Sequence, residues 1–182
     1  HSFSRRQRQM CIRDRGTIGN ASTSQGIFFE AVNACGVLQI PAVISVWDDD
    51  YGISVHNKDH TTKESISEAL SGFQINKESA GIEILKVKGW DYQSLMRTYS
   101  HAEKIAREHH IPVLVHVTEL TQPLGHSTSG SHERYKSEER LKWEEDYDCN
   151  RKFEEWIIKN KISTKKKIES IKAEIKSYVA DE

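Results

Sequence analysis

The stretch GNASTSQGIFFEAVNACGVLQIPAVISVWDDDYGIS, residues 19–54, decides how this chain folds. It opens on small and polar residues, Gly19 to Gly26, where backbone can turn tightly and approach a ligand closely. Apolar residues then recur at positions 27, 28, 31, 32 and 35, a spacing that predicts a helix over Ile27 to Val37. Pro41 ends that pattern and opens a short apolar run, Ala42 to Trp47, which reads as a buried parallel strand. The run stops abruptly at three carboxylates, Asp48, Asp49 and Asp50.

Working outward, Thr61 with Glu64 forms a capping-box signature for a helix through about Ser71. Ile82 to Val87 reads as a strand closed by Gly89, and Asp91 as the cap of a helix running to about His109. Pro112 to Thr118 is a third apolar strand. Strands alternating with helices at these lengths imply βαβ units, hence an α/β fold with a mostly parallel sheet and flanking helices. Thr121 to His132 (TQPLGHSTSGSH) is a long polar loop. Beyond it, two charged helices are predicted, Glu138 to about Asn160 and Thr164 to Val179. Ile168, Ile171, Ile175 and Val179 form a narrow apolar stripe on the second, which suits a helix lying on a domain or subunit surface.

The N-terminal fifteen residues are a different matter. Arg5 to Arg15 (RRQRQMCIRDR) carries five arginines without periodicity and resembles translated sequencing-adaptor read-through. They are set aside as a non-native tail, and authentic sequence is expected from about Gly16. The expected division is a tail over 1–15, an α/β ligand-binding domain over 16–135 and a helical extension over 136–182.

Composition excludes several classes. The formal net charge of −1 shows no basic footprint for nucleic acid. No apolar run approaches the roughly 18 residues that span a membrane, and no secretory leader stands out. Cys11, Cys35 and Cys149 have no paired spacing, so a disulfide framework or zinc ribbon is not indicated and a reducing cytoplasm fits.

In open α/β sheets, ligands bind beyond the carboxyl ends of the strands. Two such loops here are rich in hard oxygen: the glycine loop with Asn20, and the aspartate cluster ending at Tyr51. A helix starting near Ile27 would aim its N–H groups at the same crevice, which suits a diphosphate, and magnesium takes oxygen ligands shared with phosphates. The residues alone fit two readings, a phosphate and magnesium site or simply turn residues with a helix cap. His126 likewise reads as a proton shuttle or as an exposed loop histidine. His116, inside an apolar strand, reads as a core residue, while His109 and His110 suit a helix C-terminus.

Several separated motifs narrow the choice. Gly19-Asn20-Ala21 is followed after 26 residues by Asp48-Asp49 and the tail Asp50-Tyr51-Gly52-Ile53-Ser54; then come VKGWD (87–91) and GHSTSGSHERY (125–135). In this order they resemble the α subunit of thiamine-diphosphate-dependent 2-oxoacid dehydrogenases, whose pattern is Gly-Asp-Gly, a spacer of similar length, Asn-Asn and a Gly-Tyr-Ala-Ile-Ser-like tail. The resemblance covers essentially everything after Gly16. It implies a thiamine-diphosphate-binding fold, incomplete at its N-terminus, and oxidative decarboxylation of a 2-oxoacid with acyl transfer to lipoamide. The implied cofactors are thiamine diphosphate and Mg2+. The implied partners are a β-type pyrimidine domain or subunit, which contributes an activating Glu, and a lipoyl-bearing acyltransferase, in a dimer or heterotetramer. With the β part and at least one strand and helix missing, the chain alone is expected to be inactive and, with a raw sheet edge, poorly soluble.

Carried over residue by residue, the resemblance implies cofactor contacts from Gly19, Asn20, Ala21, Ser22, Asp49, Tyr51, Ile53 and His126. It implies metal ligation by Asn20, Asp49 and the backbone carbonyl of Tyr51, and proton transfer by His126. Asp48 and Asp50 are expected to be supporting or turn residues. There are departures. The family's metal-binding Asp is Asn20 here and its metal-binding Asn is Asp49, a reciprocal exchange that keeps one carboxylate and one carbonyl. The family's Arg before Gly-His is replaced within Gln122-Pro123-Leu124, so its phosphate contact is not carried over. Ser127 and Ser129 align with a loop phosphorylated in some relatives, which is not expected here. The alternatives are a transketolase-like or other thiamine-diphosphate enzyme and, outside catalysis, a magnesium-binding α/β regulatory module.

Overall fold

Val113, Val115 and Val117 are buried toward one side of a sheet and Leu114 and His116 toward the other, so the strand that carries them is covered on both faces. The computed structural model describes residues 14–125 and 132–181. In chain order its elements are β1 (Asp14–Gly19), α1 (Gly26–Leu38), β2 (Ala42–Trp47), a small hairpin of β3 (Tyr51–Gly52) and β4 (Val55–His56), α2 (Asn57–His60), α3 (Ile66–Ala69), β5 (Glu83–Lys88), α4 (Tyr92–His109), β6 (Val113–Thr118), α5 (Glu138–Asp146), α6 (Cys149–Lys159) and α7 (Lys165–Asp181). Four strands form one sheet in the order β1-β2-β6-β5, all parallel, with Thr17 opposite Ser45 and both Ser45 and Leu85 opposite Val115. The expected α/β architecture is therefore present.

Helices cover both faces. On one side α1 buries Phe28, Val32 and Gly36, one residue per turn, against Val46, Ile66, Leu70, Ile82 and Leu114. Ile27 is 74% exposed, so the buried stripe is narrower than the apolar spacing suggested. On the other side Ala102 and Ala106 bring α4 close to Val43, Val87, Val113, Val115 and Val117. Burying one such valine contributes roughly 1.5–3 kcal/mol, so these two clusters fix the register of the sheet and with it the positions of the loops at its carboxyl end.

Four local expectations change. Asp14 and Arg15, set aside with the tail, belong to β1 and pair with Ala42 and Val43. The helix expected from Thr61 does not form as one piece. Thr61 Oγ1 is hydrogen-bonded to the ring Nδ1 of His60 (2.9 Å) instead of capping a turn. Lys63 and Glu64 take positive φ (62° and 56°), and only Ile66–Ala69 is α-helical, between 3-10 turns at Thr62–Glu64 and Ser71–Phe73. The single helix expected from Glu138 to Asn160 breaks at Tyr147–Asp148, where Asp148 accepts from the Arg151 N–H (2.8 Å) and caps a new helix. The strand expected at 82–87 runs one residue later, over Glu83–Lys88. Helix α6 packs its Phe153 and Trp156 rings on Tyr92 of α4 (4.4 and 4.6 Å). On α7 the side chains of Ile171, Ile175 and Val179 are exposed.

Candidate functional site

The glycine loop leaves β1 still tied to the sheet, because the Asn20 N–H donates to the Trp47 carbonyl (2.9 Å). The chain then makes a 3-10 turn, Ala21–Ser24, before α1 starts. That turn displaces the helix end: Gly19, Asn20, Ala21 and Ser22 line the cavity described below, and Gly26 is not among its lining residues. Beside it, the aspartate cluster leaves β2. Its backbone is fixed by Asp48 N–H donating to the Val117 carbonyl (2.9 Å) and by Leu120 N–H donating to the Asp48 carbonyl (3.1 Å). Asp50 and Ile53 take left-handed backbone (φ 68° and 58°), which folds the chain into the β3–β4 hairpin. The two loops touch at Gly52, where a Cβ would lie 2.6 Å from the Ala21 Cβ. Only glycine fits that approach.

Between these loops and the exit of β6 lies an open cavity of about 550 Å3, within the range of small-molecule sites. Its walls include Gly19, Asn20, Ala21, Ser22, Asp49, Tyr51 and Ile53, with Trp47, Gly52, Leu120, Thr121 and Gln122. The structure thus brings together every site residue read from the sequence except His126. His126, with Ser127 and Ser129, lies outside the described residues. Gln122, in the stretch where the resemblance implied an arginine, puts a neutral amide at the cavity edge.

The three aspartates point to three environments. Asp49 faces the cavity and accepts from the Tyr51 N–H (3.3 Å). Burial pushes its carboxyl above the ordinary value, against the opposing attraction of Lys136. Among the described residues Asp49 forms no ion pair. Asp48 is buried and turns inward. Its carboxylate accepts from His116 Nε2 (2.8 Å), from Asn57 Nδ2 (2.9 and 3.1 Å) and from the Asp50 N–H (2.8 Å). Burial works against its charge, but these bonds outweigh it and hold the carboxyl below its ordinary value. His116 Nδ1 pairs with Ser67 Oγ (2.9 Å), and Asn57 Oδ1 accepts from Asn20 Nδ2 (2.9 Å). His116 is a core residue, as read from its strand, and it also anchors Asp48. Asn57 and Ser67 gave no signal in the sequence.

Asp50 turns the third way and is ion-paired with Arg140. The same guanidinium donates to the Asp49 carbonyl (2.8 Å) and to Glu144 (2.8 Å), and Glu144 in turn holds Lys136 (2.7 and 3.0 Å). Lys136 and Glu144 are almost completely buried, and the Lys136 ammonium sits 5.0 Å from the Tyr51 ring centroid. The segment that follows the GHSTS motif therefore clamps the aspartate turn from behind. Sequence reading missed this clamp. Its one signal was the spacing of Lys136, Arg140 and Glu144, four residues apart. His132 is buried with its ring against Tyr135 (5.4 Å), and burial lowers its pKa.

Among the described residues, no three His, Cys, Asp or Glu side chains gather into a group that could hold a metal ion. The ligand set read from the sequence contains one such side chain, with an amide and a backbone carbonyl supplying the rest. No described helix is long and apolar enough to cross a membrane.

A family model described as "Dehydrogenase E1 component" matches residues 5–182, reaching into the segment set aside as a tail. Among curated relatives, the chain is similar to 2-oxoisovalerate dehydrogenase subunit alpha 1 of Arabidopsis thaliana, described as mitochondrial. That match is 24% identical over 145 residues, 79% of this chain and 29% of the relative. Against the pyruvate dehydrogenase E1 component subunit alpha of Rickettsia typhi, identity is 22% over 162 residues, 89% of this chain and 47% of the relative. Against the 2-oxoisovalerate dehydrogenase subunit alpha of Dictyostelium discoideum, also described as mitochondrial, it is 28% over 130 residues, 70% and 27%. The chain spans less than half the length of each of these relatives.

Proposed function

This chain belongs to the dehydrogenase E1 component family, and on that premise we propose that its cavity holds the diphosphate of thiamine diphosphate with Mg2+, in an enzyme that oxidatively decarboxylates a 2-oxoacid and passes the acyl group to lipoamide. One observation carries the reading. Seven of the residues that the motifs single out line a single cavity beyond the carboxyl ends of β1 and β2, where α/β sheets bind ligands.

Asn20, Asp49 and the Tyr51 carbonyl are the proposed magnesium ligands, all hard oxygen donors. The site fits a cation, because Asp49 lines the cavity without an ion pair among the described residues, and burial raises its pKa. A divalent ion relieves that cost. Gly19, Ala21 and Ser22 offer a wall of small residues whose backbone would hold the diphosphate, with Ile53 in the same cavity wall. When bound, thiamine diphosphate supplies the carbanion chemistry, and the protein's part is position and charge. His126 is proposed to contact the cofactor and to move a proton during acyl transfer.

The proposed partners are a β-type pyrimidine domain or subunit with its activating Glu, and a lipoyl-bearing acyltransferase, with the whole enzyme a dimer or heterotetramer. The exposed apolar side chains of Ile27, Val37 and Leu38 on α1 and of Trp47 and Ile53 at the cavity support a covering partner. Cys35 and Cys149 are free thiols, which suits a reducing compartment such as the cytoplasm.

Calorimetric titration of the full chain with Mg2+ and thiamine diphosphate tests the site. Each is expected to bind tightly only in the presence of the other. Removing a ligand oxygen in Asp49→Ala should weaken magnesium by about 100-fold, the upper end of what supporting residues cost. Unchanged affinity in that variant would sink the ligand assignment.

A further inference from the structure

Ser67, His116, Asp48, Asn57 and Asn20 form an unbroken line of side-chain hydrogen bonds from beneath the sheet to the cavity wall. Asp48, Asn57 and Asn20 are 4%, 2% and 6% exposed, so water cannot substitute for a mismatched partner. The direction of this line is dictated at Asp48. An ionised carboxylate only accepts. His116 Nε2, 2.8 Å from it, must therefore carry its hydrogen. For the same reason the end of Asn57 that meets both carboxylate oxygens must be its NH2. Its oxygen then points the other way, where only a donor can meet it. Asn20 answers with its own NH2, at 2.9 Å. The amide oxygen of Asn20 is the end left over.

From this polarity we infer that Asn57 is a positioning residue, which reads the charge of Asp48 and turns the Asn20 amide so that its oxygen, rather than its NH2, is presented to a cation in the cavity. An amide is nearly symmetric in shape, and an NH2 facing magnesium is repulsive. A metal site that uses asparagine needs something to choose the end, and here Asn57 makes that choice. The same polarity accounts for asparagine at position 20. A carboxylate there would face the Asn57 oxygen, two buried acceptors in contact. Turning Asn57 over would only move the clash to Asp48.

The inference rests on the magnesium reading above, and its test separates the two. Mg2+ affinity is measured by calorimetry with saturating thiamine diphosphate on the full chain for four proteins: the parent, Asn57→Leu, Asn20→Asp, and the two substitutions combined. Urea midpoints are recorded alongside. Freed from Asn57, the Asn20 amide samples both ends, and Asn57→Leu is expected to weaken Mg2+ about tenfold, as loss of a supporting residue does. A carboxylate has oxygen at both ends and needs no orienting partner. Adding Asn20→Asp to Asn57→Leu should therefore recover the tenfold loss or more. The same Asn20→Asp in the parent should give less than about a threefold gain, with a lowered urea midpoint. The charge added is identical in both backgrounds, so it cancels from the comparison.

If Asn20→Asp changes Mg2+ affinity by the same factor in both backgrounds, Asn57 does not orient Asn20 and the inference is overturned. If Asn57→Leu fails to fold, Asn57→Ser carries the same comparison. A parent that binds no Mg2+ with thiamine diphosphate overturns the metal site itself, a result distinct from additivity.

Discussion

Gly52 is where the geometry of the cavity is most exposed to a single methyl group. In Gly52→Ala the new Cβ would stand 2.6 Å from the Ala21 Cβ and 3.6 Å from His60 Nε2. Carbon atoms settle at about 3.5–4.0 Å, so the two walls must separate by about 1 Å. Neither wall yields easily. Ala21 has no further side chain to swing away, and its neighbour Asn20 is tied to Trp47 at 2.9 Å. Gly52 is held by antiparallel pairing with Val55. The backbone at Gly52 lies outside the left-handed region, so alanine is excluded by Ala21 alone. Overpacking of this kind costs about 1–3 kcal/mol. If the cost falls on the closed arrangement of the loops, affinity for thiamine diphosphate with Mg2+ drops by about 5- to 150-fold. The assay is a double-mutant cycle of Gly52→Ala, Ala21→Gly and the pair, read by urea midpoint and by calorimetry. Moving the methyl from one wall to the other removes the clash, so the pair should lie within about 0.5 kcal/mol of Ala21→Gly alone. A pair as damaged as Gly52→Ala would refute the reasoning.

Two further outcomes follow from the same structure. Glu144→Ala leaves the Lys136 ammonium buried without its partner and loosens Arg140, and should cost about 3–5 kcal/mol in urea denaturation with little dependence on salt. A loss below about 1 kcal/mol, the scale of an exposed ion pair, would contradict the burial described. Asp91 accepts from the Ser94 N–H (3.0 Å) and hydroxyl (2.7 Å), which lower its carboxyl below the ordinary value. Asp91→Ala should cost about 1 kcal/mol at neutral pH. Because the folded value is the lower one, that contribution is complete above the unfolded carboxyl's pKa, about 3.9, and fades as pH falls through the folded value. Urea midpoints of parent and variant should therefore converge at acid pH, and a constant gap across the range would exclude the charged cap.

How much of this was legible in the sequence depended on how local the cause was. Strands β2 and β6 and helices α1 and α4 follow from runs and spacings that each segment contains by itself, and they lie within a residue or two of expectation. The helix at Thr61 failed because a hydroxyl read as a cap is engaged by the ring of the preceding residue, His60, and Lys63 and Glu64 take left-handed backbone. The break at Tyr147 was missed because charged residues continue through it, though Asp148 is a strong capping type. In the candidate site, residues from two loops could be grouped because both loops follow parallel strands and such loops converge. Asn57, Ser67, Arg140 and Glu144 could not be. Asn57 and Arg140 meet the aspartates across 9 to 91 positions of sequence, Ser67 and Glu144 act only through His116 and Arg140, and nothing in an isolated Asn or Glu says which carboxylate or guanidinium it will meet.

Three adjacent aspartates look at first like a site of charge −3, too negative to share a cation with a diphosphate. Two carboxylates about 4 Å apart at an effective dielectric near 20 repel by about 4 kcal/mol, so a cluster facing one cavity would not stay ionised. The structure resolves this by turning each carboxylate into a different surrounding. Asp48 spends its charge on His116 and the Asn57 amide. Asp50, swung out by its left-handed backbone, spends its charge on Arg140. Asp49 alone lines the cavity. In the proposed site one carboxylate, one amide oxygen and one backbone carbonyl would carry a single negative charge between them, and a bound diphosphate would supply the remainder for a divalent ion. The clamp behind the turn is then as necessary as the ligands. Arg140 holds the Asp49 carbonyl and the Asp50 carboxylate at once, and without it the Asp50 carboxylate would stand unneutralised behind the aspartate turn. Arg140→Met should therefore strengthen the cavity's attraction for a bare cation while weakening its hold on the diphosphate. Titrating Mg2+ with and without thiamine diphosphate separates those two signs, and a variant in which both affinities move together would show that Arg140 acts only through stability.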